Sequence, residues 1–181
     1  TAASTPELER EPLQIGQLRI DPFLTVHDAV DPVAVTLQDG ETGLKLGIAT
    51  DLGRPTASVR HALAGCHLLV LEANHDEAML WNGPYPWSVK QRIASSHGHL
   101  SNNAAADLAR ELFHPDLGAV ILAHLSGHCN DPALARDVVS EALDALDFAG
   151  RLLVAGQDEP LDPIDLIELK RSTPVEQLSL L

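Results

Sequence analysis

Short runs of branched apolar residues dominate the stretch that follows Leu18. Leu18 to Val26, Val33 to Leu37 and Leu44 to Ala49 each hold enough aliphatic side chains for a strand, and Asp21-Pro22, Asp31-Pro32 and Asp39-Gly40 supply turn chemistry between or within them. Three antiparallel strands are expected. Beyond Asp51 the apolar period lengthens. It predicts a helix over about Thr56 to Ala64, a strand over His67 to Leu71, a helical and loop region containing Pro84 and Pro86, and a helix from about Asn102 to Phe113. That last helix has Ala105, Leu108, Ala109 and Leu112 on one face. A buried strand follows at Ala119 to Ala123.

Asp131 is a suitable cap and Pro132 a suitable first-turn residue for a helix reaching Leu146. Its apolar stripe is Val138, Val139, Ala142, Leu143 and Leu146, and Glu141, Asp144 and Asp147 form its solvated face. Two late strands are expected near Leu152 to Val154 and Ile164 to Glu168. Residues 1–17, punctuated by Pro6, Pro12 and Gly16, read as a linker or arm, residues 18–170 as one folded unit and residues 171–181 as a tail. The fold class is α/β: a mixed sheet whose helices gather after the first three strands, which fits one layer pair of a larger sandwich. No internal repeat is found.

Composition adds that the chain can bury a core, since it has 181 residues and 45% apolar content. Charge changes the functional picture more. Its 26 acidic and 12 basic residues give a net charge of -14, which repels polyanions and argues against loose binding to nucleic acid. Two divalent cations in a small site would still dominate their surroundings and engage a phosphate. Cys66 and Cys129 form no C-x-x-C pair, so free thiols in a reducing compartment are expected rather than a zinc ribbon or disulfide framework. No apolar run approaches the ~18 residues of a membrane span, and the N-terminus lacks a signal-peptide pattern. A cytoplasmic protein with no membrane partner is the expectation. The start at Thr1, without Met, suggests processing, proteolysis or truncation.

Four segments each place a histidine or carboxylate after a strand, where loops from a rigid sheet can converge. His27, in Val26-His27-Asp28-Ala29, is either a metal ligand or a hydrogen-bonded loop residue. Asp51, in Thr50-Asp51-Leu52-Gly53, either bridges two cations or caps the next helix. His97 and His99 precede a helix N-terminus, a setting suited to a phosphate oxygen; His99 is read as lining a site and His97 as exposed. His124 ends the strand Ile121-Leu122-Ala123 in a position suited to zinc or manganese. His128 and Cys129 read as loop residues, and His61, His67 and His114 as having no chemical role.

The order of these segments is more specific than any one of them. Strand-His-Asp-Ala, Thr-Asp-Leu-Gly, Leu-Glu-Ala-Asn-His-Asp, Gly-His-Leu-Ser-Asn and Ala-His-Leu-Ser resemble the C-terminal portion of metallo-β-lactamase-fold proteins. The nearest branch is the nuclease-like one related to YycJ and ribonuclease Z. The similarity runs from about Leu18 to Leu169 and is most specific between Thr50 and Ser126. It implies half of an αββα sandwich with helices on one face of the sheet. It further implies His27, Asp51 and His124 as ligands of two divalent metal ions, zinc first and manganese or iron next, with Asp51 bridging. His99 would contact the scissile phosphate or protonate the leaving oxygen, and Glu72, Asn74 and His75 would orient the residues that hold metal. Ser101 and Asn102 would touch substrate, and Tyr85, Pro86 and Trp87 would wall its cleft.

One departure is large. The signature H-x-H-x-D-H, which supplies further metal-site residues in that family, occurs nowhere in the 181 residues. Two protein ligands per ion are too few for a stable catalytic site. The expected partner is therefore an N-terminal half, in the same or a separate chain. A bare apolar sheet face of a few hundred Å² would favour docking by several kcal/mol, at roughly 25 cal/mol per Å². Homo-oligomerisation is also possible on this reading. The expected activity of the completed protein is two-metal phosphodiester hydrolysis on DNA or RNA, with this chain alone nearly inert. The competing expectations are hydrolysis of a small ester, thioester or lactone, and a non-catalytic module with a degenerate metal site.

Overall fold

Seven strands lie side by side in chain order in a computed structural model that describes residues 11–172. They are β1 (Leu13–Ile15), β2 (Leu18–Leu24), β3 (Val33–Asp39), β4 (Lys45–Ala49), β5 (Leu68–Glu72), β6 (Ala119–Ala123) and β7 (Arg151–Val154). The first four pair antiparallel, and β4 to β7 pair parallel. Parallel neighbours need a crossover, and helices supply it. In chain order these are α1 (Ala57–Leu63), α2 (Glu77–Asn82), α3 (Trp87–Ile93), α4 (Asn102–Leu112) and α5 (Pro132–Asp144).

Caps fix where the longer helices begin. The Ser101 hydroxyl accepts from Ala104 N–H at the start of α4, and the Asp131 carboxylate accepts from Ala133 and Leu134 N–H at the start of α5. Both helices then lay an apolar stripe on the sheet. Ala105, Leu108 and Ala109 of α4 and Ala135, Val139 and Leu143 of α5 pack with Val59 and Leu63 of α1 over Ala49, Leu69, Leu71, Val120 and Leu122. Burial of each large aliphatic side chain there stabilises the fold by about 1.5–3 kcal/mol.

The opposite face carries the alternate residues of the same strands. Val35, Ile48, Val70, Ile121 and Leu153 follow one another across β3 to β7 in register, and each is only half-buried. Cover on that face comes from α6 (Leu166–Ser172), where Leu166 and Leu169 pack on Leu68 and Ala119.

Two expectations change here. Ile164 to Glu168 is not a strand. Asp165 accepts from Ile167 N–H at 2.8 Å and Glu168 N–H at 3.2 Å, and this cap starts α6 within the segment. Leu13–Ile15, assigned to the arm, instead forms the edge strand β1. The rest of the arm before Glu11 and the tail after Ser172 lie outside the described residues. Within the described residues no helix is long and apolar enough to cross a membrane.

Candidate metal and catalytic site

Strand direction decides where the candidate residues meet. Because β2 and β4 both run antiparallel to β3, and β4 to β6 are parallel, β2, β4, β5 and β6 all point the same way. Their C-terminal ends open on one edge of the sheet, the usual place for a site in such folds. His27 follows β2, Asp51 follows β4, Glu72 ends β5 and His124 follows β6.

Two of these residues sit in the left-handed region: Asp51 has φ 53° and His124 φ 57°. A non-glycine residue there costs on the order of 1–3 kcal/mol and persists only where its surroundings hold it. The Thr25 hydroxyl donates to the Asp51 carbonyl at 3.1 Å, and the Asn74 amide donates to the His124 carbonyl at 2.9 Å. Thr25 and Asn74 are both buried, so each strained turn is fixed by a polar side chain shielded from water.

His27 is aimed by a carbonyl. Its Nδ1 lies 2.8 Å from Gly98 O, and a carbonyl only accepts, so Nδ1 carries the proton. Nε2 then faces Asp51 Oδ1 at 3.5 Å and Asp28 Oδ1 at 3.4 Å. Gly98 is the residue that permits this: a Cβ there would lie 2.2 Å from both Arg92 O and Ile93 O. The loops are clamped further by Asp28 N–H on His97 O and Gly53 N–H on Val26 O.

Glu72 organises the other half. It is fully buried, and its Oε1 accepts from Nδ1 of His99 at 2.6 Å and Nδ1 of His124 at 2.8 Å. Its Oε2 accepts from Leu52 N–H at 2.7 Å. Burial pushes the Glu72 carboxyl up, but the bonds from His124, His99 and Leu52 N–H outweigh it and hold the group below its ordinary value. The same bond to Glu72 raises His124 against the opposing effect of burial. The rings of His27 and His99 lie 4.8 Å apart and those of His99 and His124 5.2 Å.

Asp51, Glu72, His99 and His124 each bring a ligand-type atom within 4.8 Å of the others. Glu72 is poorly placed to join a cation, since its oxygens already accept three N–H groups. Its geometry is that of a carboxylate orienting imidazoles. Asp51 Oδ1 is the atom that looks both ways, toward His27 and toward His99 and His124 at 3.9 and 3.8 Å.

The cleft above these groups has a volume of about 500 Å³ and is lined by His27, Asp28, Asp51, His99 and His124, with Arg92 among its walls. Tyr85 also lines it, whereas Trp87 and Ser101 do not. Asn102 is buried and its amide donates to Asn130. His75 is buried next to this arrangement, and His97 is exposed as expected. Asp28 and Arg92, ion-paired at the rim, were not singled out from the sequence. The only signal for Asp28 was its place directly after His27.

No family profile matches the chain. It is 35% identical over 133 residues to exodeoxyribonuclease YycJ of Bacillus anthracis, covering 74% of this chain and 50% of that protein. It is 31% identical over 133 residues to exodeoxyribonuclease WalJ of Streptococcus pneumoniae, covering 74% and 49%. The chain thus spans about half the length of the curated relatives it matches. Among solved structures, the metallo-β-lactamase-fold protein YhfI of Bacillus subtilis superposes with a TM-score of 0.56 at 22% identity, covering 80% of this chain and 49% of that one. The short form of human tRNase Z gives 0.52 at 17% identity, covering 84% and 46%.

Proposed function

The chain belongs to the YycJ-like branch of the metallo-β-lactamase-fold hydrolases, and from that footing we propose that it supplies one half of a two-metal active site for cleaving phosphodiester bonds in nucleic acid. DNA is the first substrate to test, because both curated relatives carry the name exodeoxyribonuclease. The observation that carries the reading is the grip of Glu72 on two imidazoles at once. A buried carboxylate bound to both Nδ1 atoms leaves both Nε2 atoms uncommitted, one for a cation and one for substrate.

In this reading His27 Nε2, Asp51 and His124 Nε2 would hold the metal. The donor set fits a divalent ion of the zinc or manganese type, and the zinc-bound PqqB of Methylobacterium extorquens has a related fold, with a TM-score of 0.52. Such ions would activate the attacking water and stabilise charge that develops on the phosphate. His99 holds its proton at Nδ1 against Glu72 and presents Nε2 to the oxygens of the substrate. Asn74 keeps His124 in its left-handed turn while this happens. Glu72 and Asn74 thereby act by positioning, and Ser101 and Trp87 by contact beyond the main cleft.

The remaining ligands would come from a segment bearing H-x-H-x-D-H, packed on the half-exposed row Val35, Ile48, Val70, Ile121 and Leu153. Cleavage of an end-labelled DNA oligonucleotide, with manganese or zinc, tests this. The chain alone should be nearly inert, and adding the motif-bearing half of a YycJ-like protein should restore activity that His124→Ala removes. Faster turnover of a thioester than of the oligonucleotide would refute the phosphodiesterase reading. Binding of less than about one equivalent of metal per complete assembly would refute catalysis altogether.

A further inference from the structure

A second cavity, of about 310 Å³, adjoins the main cleft at His99. His99 lines both. Its other walls include His75, Glu77, Trp81, Leu100 and Ser101. Trp81 is 41% exposed, unusual for so large an apolar side chain, and its ring lies 5.2 Å from that of Trp87, itself 65% exposed. An exposed indole pair in a chain with few aromatic residues offers stacking surface that the fold leaves unused. His75 is only 2% exposed and its Nδ1 has no hydrogen-bond partner among the described residues, so this wall is not closed by the protein's own bonds.

Charge decides what kind of ligand fits. The cavity touches the N-terminus of α4, where an anion is ordinarily welcome. Here the Ser101 hydroxyl accepts from Ala104 N–H and donates to Glu77 Oε1 at 3.2 Å. A phosphate would therefore meet a carboxylate. A flat, uncharged ring with N–H donors meets the opposite conditions: an indole to stack on and a carboxylate to accept its amine, the pairing by which Glu reads cytosine N4.

We propose that this cavity receives the base of the nucleotide next to the scissile phosphate, stacked on Trp81 with its exocyclic amine on Glu77. The proposal rests on the nuclease reading above and assigns that site a base-binding pocket which favours amino-bearing bases. Because His99 is the shared wall, a base held there would keep its own phosphate beside the His99 ring. An exonuclease working nucleotide by nucleotide needs such a hold on the strand.

The test is binding without metal. The full 181-residue chain, in low salt with chelator, is titrated against fluorescein-labelled hexamers of deoxycytidine, of thymidine and of an abasic backbone, read by anisotropy. The cytidine hexamer should bind about 5- to 160-fold more tightly than the abasic one, the range expected for one stacked base. Trp81→Ala should erase that advantage and Trp81→Phe should keep most of it, which separates stacking from misfolding. Glu77→Ala should bring the cytidine and thymidine hexamers to equal affinity. Equal binding of cytidine and abasic hexamers by the unaltered chain, no binding of any, loss of the advantage in Trp81→Phe, or its retention in Trp81→Ala would each overturn the pocket. The nuclease reading fails separately, by absence of metal-dependent cleavage in the completed protein. Cleavage with no base preference in binding would sink the pocket alone.

Discussion

Two halves of the site are built to different standards. Around Glu72 the work is finished: one fully buried carboxylate satisfies two imidazoles and a backbone N–H. Around His27 it is not. One carbonyl aims the ring, and what faces its Nε2 is Asp28 and Asp51, two carboxylates at 3.4 and 3.5 Å. A folded protein rarely leaves an imidazole nitrogen among acids unless something positive belongs there. The contrast separates the finished orientation of His99 and His124 from the His27 side, where the proposed cation site would have to be completed.

Removing the centre of each half should therefore give opposite signatures. Glu72→Leu strips two part-buried imidazole N–H groups and the buried Leu52 N–H of their acceptor, so it should lower unfolding stability by about 3–5 kcal/mol as well as abolish cleavage in the completed protein. His27→Ala removes a ring that satisfies one carbonyl, Gly98 O, and strips no buried N–H of its acceptor. It should shift denaturant midpoints little, by about 1 kcal/mol or less, while weakening metal binding at least tenfold in calorimetric titration. Equal stability losses in the two variants would mean that the two halves are alike and that the cation site is imagined.

A subtler cut goes through Asn74. Its amide supports the His124 carbonyl, in a residue held at φ 57°. Asn74→Ala should release the strained turn and leave the fold almost intact, at a cost of about 1–2 kcal/mol. Metal affinity should fall about 10- to 100-fold, as for other residues that orient a ligand without touching the ion. Adding Thr25→Ala, which frees the corresponding carbonyl of Asp51, should deepen the loss of metal without a proportional loss of stability. Unchanged metal affinity in both variants would show that the left-handed turns hold themselves.

These supports mark the limit of what the chain's pattern could reveal. His27, Asp51 and His124 were legible because each lies at a strand end, and the apolar runs locate strand ends well, whereas Glu72 was named only through the family resemblance. The direction of β2, β4, β5 and β6 then does the assembling. Thr25 carried no such mark, and Asn74 was named only through the resemblance: their roles depend on backbone angles at residues 26 and 50 positions away. Ile164 to Glu168 misled for another reason, since branched apolar residues satisfy a strand and a short helix alike and only the cap at Asp165 distinguishes them. β1 escaped notice because Leu13 and Ile15 are more than half exposed, so burial left no pattern there.

The smallest effect concerns a histidine outside both halves, and it tests whether acid sensitivity belongs to the site at all. His67 Nδ1 accepts from Lys45 N–H at 3.1 Å, next to the β4 and β5 pairing. Burial, with Lys170 nearby, pushes this ring below its ordinary value, while Asp116 pulls the other way. The folded state thus binds a proton less readily than the unfolded chain, whose histidine titrates at about 6.5. Stability from this group is present in full above that pH and is lost as pH falls from it through the ring's lower folded value, because the buried ring resists taking the charge. His124 has the opposite sign: its raised value adds stability below about pH 6.5 and loses it as pH rises. His67→Gln should consequently flatten the acid limb of a stability profile between about pH 7 and pH 5 while leaving metal affinity unchanged. An acid limb that stays as steep in His67→Gln would move the pH sensitivity away from this ring.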